Sequence, residues 1–298
     1  MHFEMRHTYD FIRRSLPQNC RHILEIGCGT GELAARLSQD GVAIVAIDSD
    51  PDSVAAALRL GVDARIATWP DFDDAEFDAV LFTRSLHHIH PLDESLRQAV
   101  KSLAADGRVI VEDFAHESTD EKTLRWFNSA IRFLEATRSL TLTDEFLERV
   151  LSKTATLQAW KENHDPDLHT SVAIAAQLER IVGGVRTENA PYYFRYIAKA
   201  ISPTERRDAI LQAFAEQEET LAADGSISAL GRRFVATRAR ESEINLAASI
   251  ANRYFWSQFF ASLEKWIGAR NPVRIGSSCA AVTGYDFPLG QSPKPFRG

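Results

Sequence analysis

The chain reads as an α/β protein built on a parallel, doubly wound sheet. Three features predict this. Apolar runs of strand length alternate with segments of helical period along residues 22–111, the links between them are short, and glycines cluster where the first strand meets the next helix. Alternating strands and helices with short links favour a parallel sheet with helices on both faces.

Taken in order, residues 5–16 are expected to form a short helix that ends near Pro17. Residues 22–26 form a strand that stops at glycines. Residues 32–39 form a helix with Leu33 and Leu37 on one face, and Gly41 breaks it. Residues 42–47 are an unbroken apolar run, the pattern of a strand covered on both sides. Asp50 can cap the following helix, Pro51 suits its first position and Gly61 its end. A third strand is expected at 63–67, a fourth at 77–82 and a helix at 92–103. Gly107 then turns the chain into a fifth strand at 108–111.

After Asp113 the texture changes. Ser118 with Glu121 predicts a capping box, and Leu124, Phe127, Ile131 and Leu134 follow at helical spacing. Further helices are expected at 143–151 and 170–182, the latter ending at Gly183 and Gly184. About 70 residues thus separate the fifth strand from the next candidate strand, at 185–190. A helical insertion of this kind, about 116–182, reads as a cap over the sheet's carboxyl edge, where ligands bind. Residues 191–201 and 203–223 look helical, and 231–237 look like a closing strand. One domain is therefore expected over 1–239. Residues 240–298 are set apart: an aromatic amphipathic helix at 241–267, to be packed on the domain or on a second copy in a homodimer, and an irregular tail rich in Gly, Pro and Ser.

The formal net charge is -7 and the pI about 5.8, so no general attraction to phosphate backbones is present and nucleic acid is not an expected partner. Cys20, Cys28 and Cys279 are widely spaced without a CxxC pair, which points to reduced thiols rather than a zinc site or disulfide scaffold. The N-terminal residues lack a secretory apolar region, and no apolar run approaches the roughly 20 residues of a membrane span. The expectation is a soluble cytoplasmic protein with no membrane partner.

The glycines carry the chemistry. They fall at Gly27, Gly29 and Gly31, a GxGxG spacing, whereas a dinucleotide fingerprint needs its third glycine at position 32, which is Glu32. An acid at the helix start also repels a phosphate that the helix N-terminus would attract. Asp48 follows 21 residues after Gly27, at the end of the second strand, where a carboxylate can accept from both hydroxyls of a ribose. A glycine loop with a ribose-binding acid and no phosphate preference suits S-adenosyl-L-methionine, whose sulfonium cation acidic neighbours would favour.

The segment Glu25-Ile-Gly-Cys-Gly-Thr-Gly31, together with Asp48, Ser85-Leu-His-His-Ile89 and the strand opening Phe77-Asp78-Ala-Val80, resembles motifs of the class I, Rossmann-like S-adenosylmethionine-dependent methyltransferases. The likeness covers residues 20–115 well and the order of elements to about 239 more loosely. It implies a seven-stranded sheet with a reversed last strand. It also implies that Gly27, Gly29 and Gly31 line the methionine part, that Asp48 holds the ribose, that Glu25 sits near the methionine amino group and that Thr83 lies close to the cofactor. Many relatives place an acid after the third strand, near adenine. Here Thr68 or Trp69 stands in its place, Trp69 by stacking or packing, and Asp71 is a less direct candidate.

Catalytic residues are less legible. Asp113 and His116, with Glu112, follow the fifth strand and could take a proton from an acceptor. His169, with His164 and Asp167, forms a polar cluster in the insertion, which equally suits a surface turn around Pro166. Tyr192, Tyr193, Phe194 and Tyr196 suit the core or a pocket wall. His87, His88 and His90 invite a metal reading, but closeness in sequence does not make a convergent tetrahedral site, and no metal is expected. A methyltransferase needs no dedicated base where alignment of nucleophile, methyl and sulfur supplies the effect. The leading reading is methyl transfer to a small-molecule acceptor. The alternatives are a catalytically silent S-adenosylmethionine-binding protein acting through partners and a nucleotide-dependent oxidoreductase.

Overall fold

Successive strand residues point to opposite faces of a sheet. In the computed structural model of the chain, which describes residues 1–141, 145–151 and 156–238, that alternation sorts the core into layers. The sheet has the order β3-β2-β1-β4-β5-β7-β6. Its strands are β1 His22–Ile26, β2 Ala43–Asp48, β3 Asp63–Ile66, β4 Phe77–Thr83, β5 Leu103–Phe114, β6 Val185–Ala190 and β7 Gly231–Thr237. The first five pair in parallel, and β7 runs antiparallel to both β5 and β6. The α/β sheet of seven strands with a reversed last strand is thus the architecture formed.

On one face, Ile23, Ala79 and Leu81 pack with α1 Phe3–Ser15, α2 Glu32–Gln39 and α3 Pro51–Arg59. On the other, Leu24, Val80 and Phe82 pack with α4 Leu92–Ser102 and α8 Ser171–Ile181. Each large apolar side chain buried this way contributes about 1.5–3 kcal/mol. A separate aromatic core gathers Phe127, Trp160, Tyr193 and Phe194 from α5 Glu121–Ala136, α7 Leu157–Glu162 and the segment around α9 Phe194–Ile197, together with α6 Glu145–Leu151 and α10 Arg207–Ala223. Part of the segment anticipated as a cap is therefore a sheet helix. Ile174 and Leu178 of α8, both fully buried, lie in one cluster with Phe82, Val109 and Phe234.

Several local expectations are corrected. Ser118 caps nothing: it ends a 3-10 turn, and its hydroxyl donates to Ala115 O at 2.8 Å and Ala229 O at 3.1 Å. Asp120, adjacent to α5, accepts from Thr123 N at 2.7 Å instead. Gly107 does not precede the fifth strand but lies within it, at the irregularity between the Phe77 and Ala79 pairings, where a Cβ would stand 3.0 Å from Phe77 O. Of residues 191–201 only the four of α9 are helical. The Glu218 carboxylate takes the N–H groups of Tyr192 and Tyr193 at 2.6 and 2.9 Å, and Ile201 forms a bridge with Leu140. α10 begins at Arg207 rather than 203. Positions 143 and 144 of the expected helix 143–151, and the whole segment 240–298 with its helix 241–267, lie outside the described residues. Among the described residues no helix is long and apolar enough to cross a membrane.

The strand ends are tied by a buried charge. Glu112 of β5 is 2% exposed. Its Oε1 accepts from Arg233 Nε at 3.0 Å and Nη2 at 2.6 Å, and its Oε2 from Thr8 Oγ1 at 2.6 Å and Arg195 Nη2 at 3.1 Å, with Arg84 Nη1 at 3.5 Å. Burial raises the Glu112 carboxyl, but Arg195, Arg233 and Arg84 outweigh it and hold the group well below the usual carboxylate range. Beside it, burial and Arg233 push His7 down to about 3, so a neutral imidazole accepts from Arg233 Nη2 at 2.9 Å.

Glu112→Gln leaves buried guanidinium groups without their counter-charge, and the expected loss is about 3–5 kcal/mol of stability at pH 7. Because the folded-state pKa is lowered, the wild-type contribution is complete above the unfolded carboxyl value of about 4.3 and is lost as pH falls below it. The difference in melting temperature between wild type and variant should narrow on acidification. A gap that stays constant from neutral pH to below that value contradicts the assignment.

Candidate active site

At the carboxyl edge of the sheet the chain turns from β1 into α2 through the glycine loop. The end of β2 holds the loop: Gly27 N and Cys28 N donate to Ile47 O at 2.9 and 3.0 Å, and Gly29 N donates to Asp48 Oδ2 at 2.8 Å. Gly27, Gly29 and Gly31 have φ of 71, 53 and 76°, a region that favours glycine. Their surroundings differ. A Cβ on Gly27 would stand 2.6 Å from Ser85 Cβ, and one on Gly31 would stand 2.5 Å from Ala57 Cβ, whereas one on Gly29 would meet nothing within 4 Å. Gly31 borders neither cavity beside the loop, and its missing side chain makes room for α3. Gly29 faces open space.

Two cavities flank this loop. The smaller, of about 260 Å³, is bordered by Glu25, Gly27, Gly29 and Thr83, with His2 and Thr8 from α1 and its cap on the other side. Glu25 is 1% exposed, and its Oε1 accepts from Thr83 Oγ1 at 3.1 Å. Its Oε2 is buried and has no partner among the described residues. Burial pushes the Glu25 carboxyl up to about 7, against the lowering effect of the Thr83 hydrogen bond. Burial, Glu25 and Asp48 likewise push the Cys28 thiol up to about 12, so it stays neutral.

The larger cavity, of about 600 Å³, is bordered by Asp48, Thr68, Trp69, Ser85 and His88. Asp48 Oδ1 accepts from Asp50 N at 3.0 Å while Oδ2 holds Gly29, which leaves each oxygen a further acceptor direction. Trp69 is 6% exposed, edge-on to Phe82, with its Nε1 donating to Ser95 O at 3.2 Å. Its orientation is therefore set by the core. Asp71 is exposed and does not border the cavity.

A third cavity, of about 530 Å³, opens beyond β4 and β5 beneath the insertion, bordered by His87, Phe114, His164, Tyr192 and Tyr196. Asp113 is fully buried and does not reach this space itself. Its Oδ1 lies 2.6 Å from His87 Nδ1 and accepts from Phe114 N at 2.9 Å, and its Oδ2 accepts from His87 N at 3.2 Å. It therefore orients His87. His164 donates from Nδ1 to Trp160 O at 2.8 Å, so its Nε2 accepts from Tyr196 Oη at 2.9 Å. His116 stacks behind His164, with ring centroids 5.5 Å apart. His169 is not brought to this cavity: its ring donates to Ile89 O at 3.0 Å and its N–H to His87 O at 2.9 Å, so it braces the turn. Glu112, committed to its arginines, is no free base. The three histidines after β4 part ways, His87 toward Asp113 and His90 against His169 at 4.0 Å, while His88 borders two cavities.

Arg84 borders all three cavities and Arg195 two of them. Sequence reading missed both, and also Thr8. Arg84 carried a usable signal, its place directly after β4, in the turn that leads to the histidines. Arg195 carried none, being an arginine in a tyrosine-rich segment far from every motif.

Comparison with known proteins agrees with this geometry. Residues 24–109 match the methyltransferase domain family. Trans-aconitate 2-methyltransferase of Mycobacterium tuberculosis (strain ATCC 25177 / H37Ra) is 30% identical over 110 residues, covering 36% of this chain and 42% of that protein. The ubiquinone/menaquinone biosynthesis C-methyltransferase UbiE of Zymomonas mobilis is 29% identical over 119 residues, covering 36% of this chain and 48% of that one. The chain thus spans less than half the length of these two curated relatives. Among solved structures, the plantazolicin methyltransferase BpumL in complex with SAH aligns over 79% of this chain and 82% of its own, at 16% identity and a TM-score of 0.45. The matched residues include the glycine loop and Asp48, so the likeness to the methyltransferase domain family falls on the part of the chain that forms the first two cavities.

Proposed function

We propose that this chain transfers the methyl group of S-adenosyl-L-methionine to a small-molecule acceptor bound in the third cavity. The observation that carries the reading is the Glu25 carboxylate: buried, with one oxygen unpartnered among the described residues, on the wall of the cavity that the glycine loop borders. A buried carboxylate calls for a cation, and the amino group of a methionine tail supplies one. Asp48 has acceptor capacity left for ribose hydroxyls, and the open space at Gly29 admits a ligand against the backbone. Thr68 and Trp69 border the same cavity as Asp48 and are the proposed adenine neighbours. Thr83 holds Glu25 in place.

When bound, the cofactor supplies an electrophilic methyl on sulfonium. The protein's share is alignment and exclusion of water. Asp113, held against His87 by the His87 backbone N–H and by the close approach to its ring, fixes a histidine on the border of the proposed acceptor cavity. Asn163, His164 and Leu168, in the segment after α7, supply the far wall, and α5 to α7 behind them form the proposed cap, narrower than 116–182 by the length of α8. A domain ending near 239, with 240–298 as an appended segment, is part of the same proposal.

S-adenosylmethionine should bind with an affinity that rises with pH up to about 7, because the cation prefers the ionised Glu25 and its binding must expel the proton that burial retains. Calorimetry at pH 6 in buffers of different ionisation enthalpy should show proton release. Glu25→Gln should abolish both effects, and a pH-independent affinity in the wild type refutes the role. Asp48→Ala should weaken binding by at least about tenfold, from lost charge-assisted hydrogen bonds worth about 1.5–3 kcal/mol each.

The glycines separate packing from binding. Gly31→Ala should lower the melting temperature sharply, since the new Cβ would meet Ala57 Cβ at 2.5 Å. Gly29→Ala should cost only the left-handed backbone penalty of about 1–2 kcal/mol while weakening cofactor binding. Unchanged cofactor affinity in a folded Gly29→Ala protein would place the ligand elsewhere.

A further inference from the structure

We propose that Arg84 and Arg195 clamp a carboxylate of the acceptor, so that the substrate is a small unsaturated or aromatic carboxylic acid. The inference rests on reading the third cavity as the acceptor site. Its basis is a charge imbalance. Three guanidinium groups surround the carboxylate of Glu112, and among the described residues only Arg233 of the three has a second carboxylate in reach, Glu188 at 3.7 Å. Arg233 takes Oε1 from two nitrogens, while Thr8 and Arg195 take Oε2. Arg84 is left at the margin, 3.5 Å from Glu112 and 3.4 Å from Thr8, both through Nη1 and both beyond the usual hydrogen-bond length. Its side chain is 37% exposed and borders every cavity of the site.

Arg195 is the second jaw. Its Nη2 serves Glu112 and Thr8, and its Nε is buried without a partner among the described residues. The backbone adds a further sign. Arg84 has φ of 62°, a conformation costly for a residue with a Cβ, and such outliers cluster at functional sites. The short bond from Arg84 N to Glu112 O, 2.7 Å, enforces it and directs the arginine to the cavity edge.

The other walls cannot neutralise this charge. Glu4 borders the cavity but is bound by Arg207, and Asp165 is an exposed rim residue that accepts from Asp167 N at 2.9 Å. Lys199, exposed at the same cavity, adds a further cation. Elsewhere the wall is largely aromatic. Phe114 and Tyr192 stack at 5.1 Å and 19°, and burial lowers His164 against the raising effect of its hydrogen bond to Trp160 O. A planar body against these rings with a carboxylate toward Arg84 and Arg195 satisfies both halves, and a guanidinium fork matches that carboxylate geometrically.

The test uses the full chain saturated with S-adenosylhomocysteine, titrated with benzoate against benzamide and cinnamate against cinnamamide at constant ionic strength. At least one acid should bind about tenfold or more tighter than its amide. Arg84→Gln should reduce that preference to less than about threefold, and Arg84→Lys should retain part of it. Neither acid binding better than its amide overturns the clamp, as does an undiminished preference in Arg84→Gln. If Arg84→Gln weakens S-adenosylhomocysteine as much as the acid, the carboxylate held is that of the methionine tail and the acceptor assignment falls. A wild type that fails to bind S-adenosylhomocysteine strikes the cofactor reading instead, so the acid-against-amide comparison is also run without the nucleoside.

Discussion

The ion cluster at Glu112 is the constraint on which the site depends. Glu112 of β5 and Arg233 of β7 are directly opposed across the antiparallel pair, so the reversed last strand places the guanidinium against the carboxylate. Thr8 brings in α1, Arg195 brings in α9 and Arg84 brings in the end of β4. Five elements distant in sequence therefore meet at one buried charge. Taking such a charge from water costs several kcal/mol, which only a full set of partners repays. Those partners leave their remaining surface at the carboxyl edge of the sheet, and the cavities open there.

A second buried carboxylate organises the third cavity. Glu218 of α10 accepts from the backbone of Tyr192 and Tyr193, and so fixes the segment that carries the pocket's aromatic wall. Burial pushes its carboxyl up to about 8 against these N–H donors. Glu25 differs from both. Glu112 and Glu218 use both oxygens within the fold, whereas Glu25 has one oxygen without a partner among the described residues. Of the three, it is the one that keeps acceptor capacity unused within the described fold.

The glycine loop shows a similar division among residues of one type. In a parallel sheet the strand-to-helix turn must pass over its neighbours, and here it passes Ser85 on one side and α3 on the other. Gly27 and Gly31 make that passage possible, and Gly29 leaves space beside Asp48. Spacing alone treats the three glycines as equivalent.

Local pattern carried much of the reading. Strands 185–190 and 231–237 and the helix 32–39 were legible to the residue, because period, turn glycines and caps act within a few positions. The glycine loop and Asp48 were legible for the same reason: one strand end and the next carry them in a short stretch of chain. Ser118 was misread because a neighbouring carboxylate, Asp120, is equally able to cap and stands nearer the helix. Residues 191–201 were misread as helix because a side chain 25 residues or more away takes their first N–H groups. The pairing of Asp113 with His87 crosses from β5 to the turn after β4, and that of Glu112 with Arg195 and Arg233 crosses most of the chain. No periodicity records such contacts, since they depend on which strands become neighbours and which side chains lose water together. Short-range physics was thus enough for the sheet, its class and the glycine loop, while the arginines bordering the third cavity became visible only once the reversed strand closed against β5.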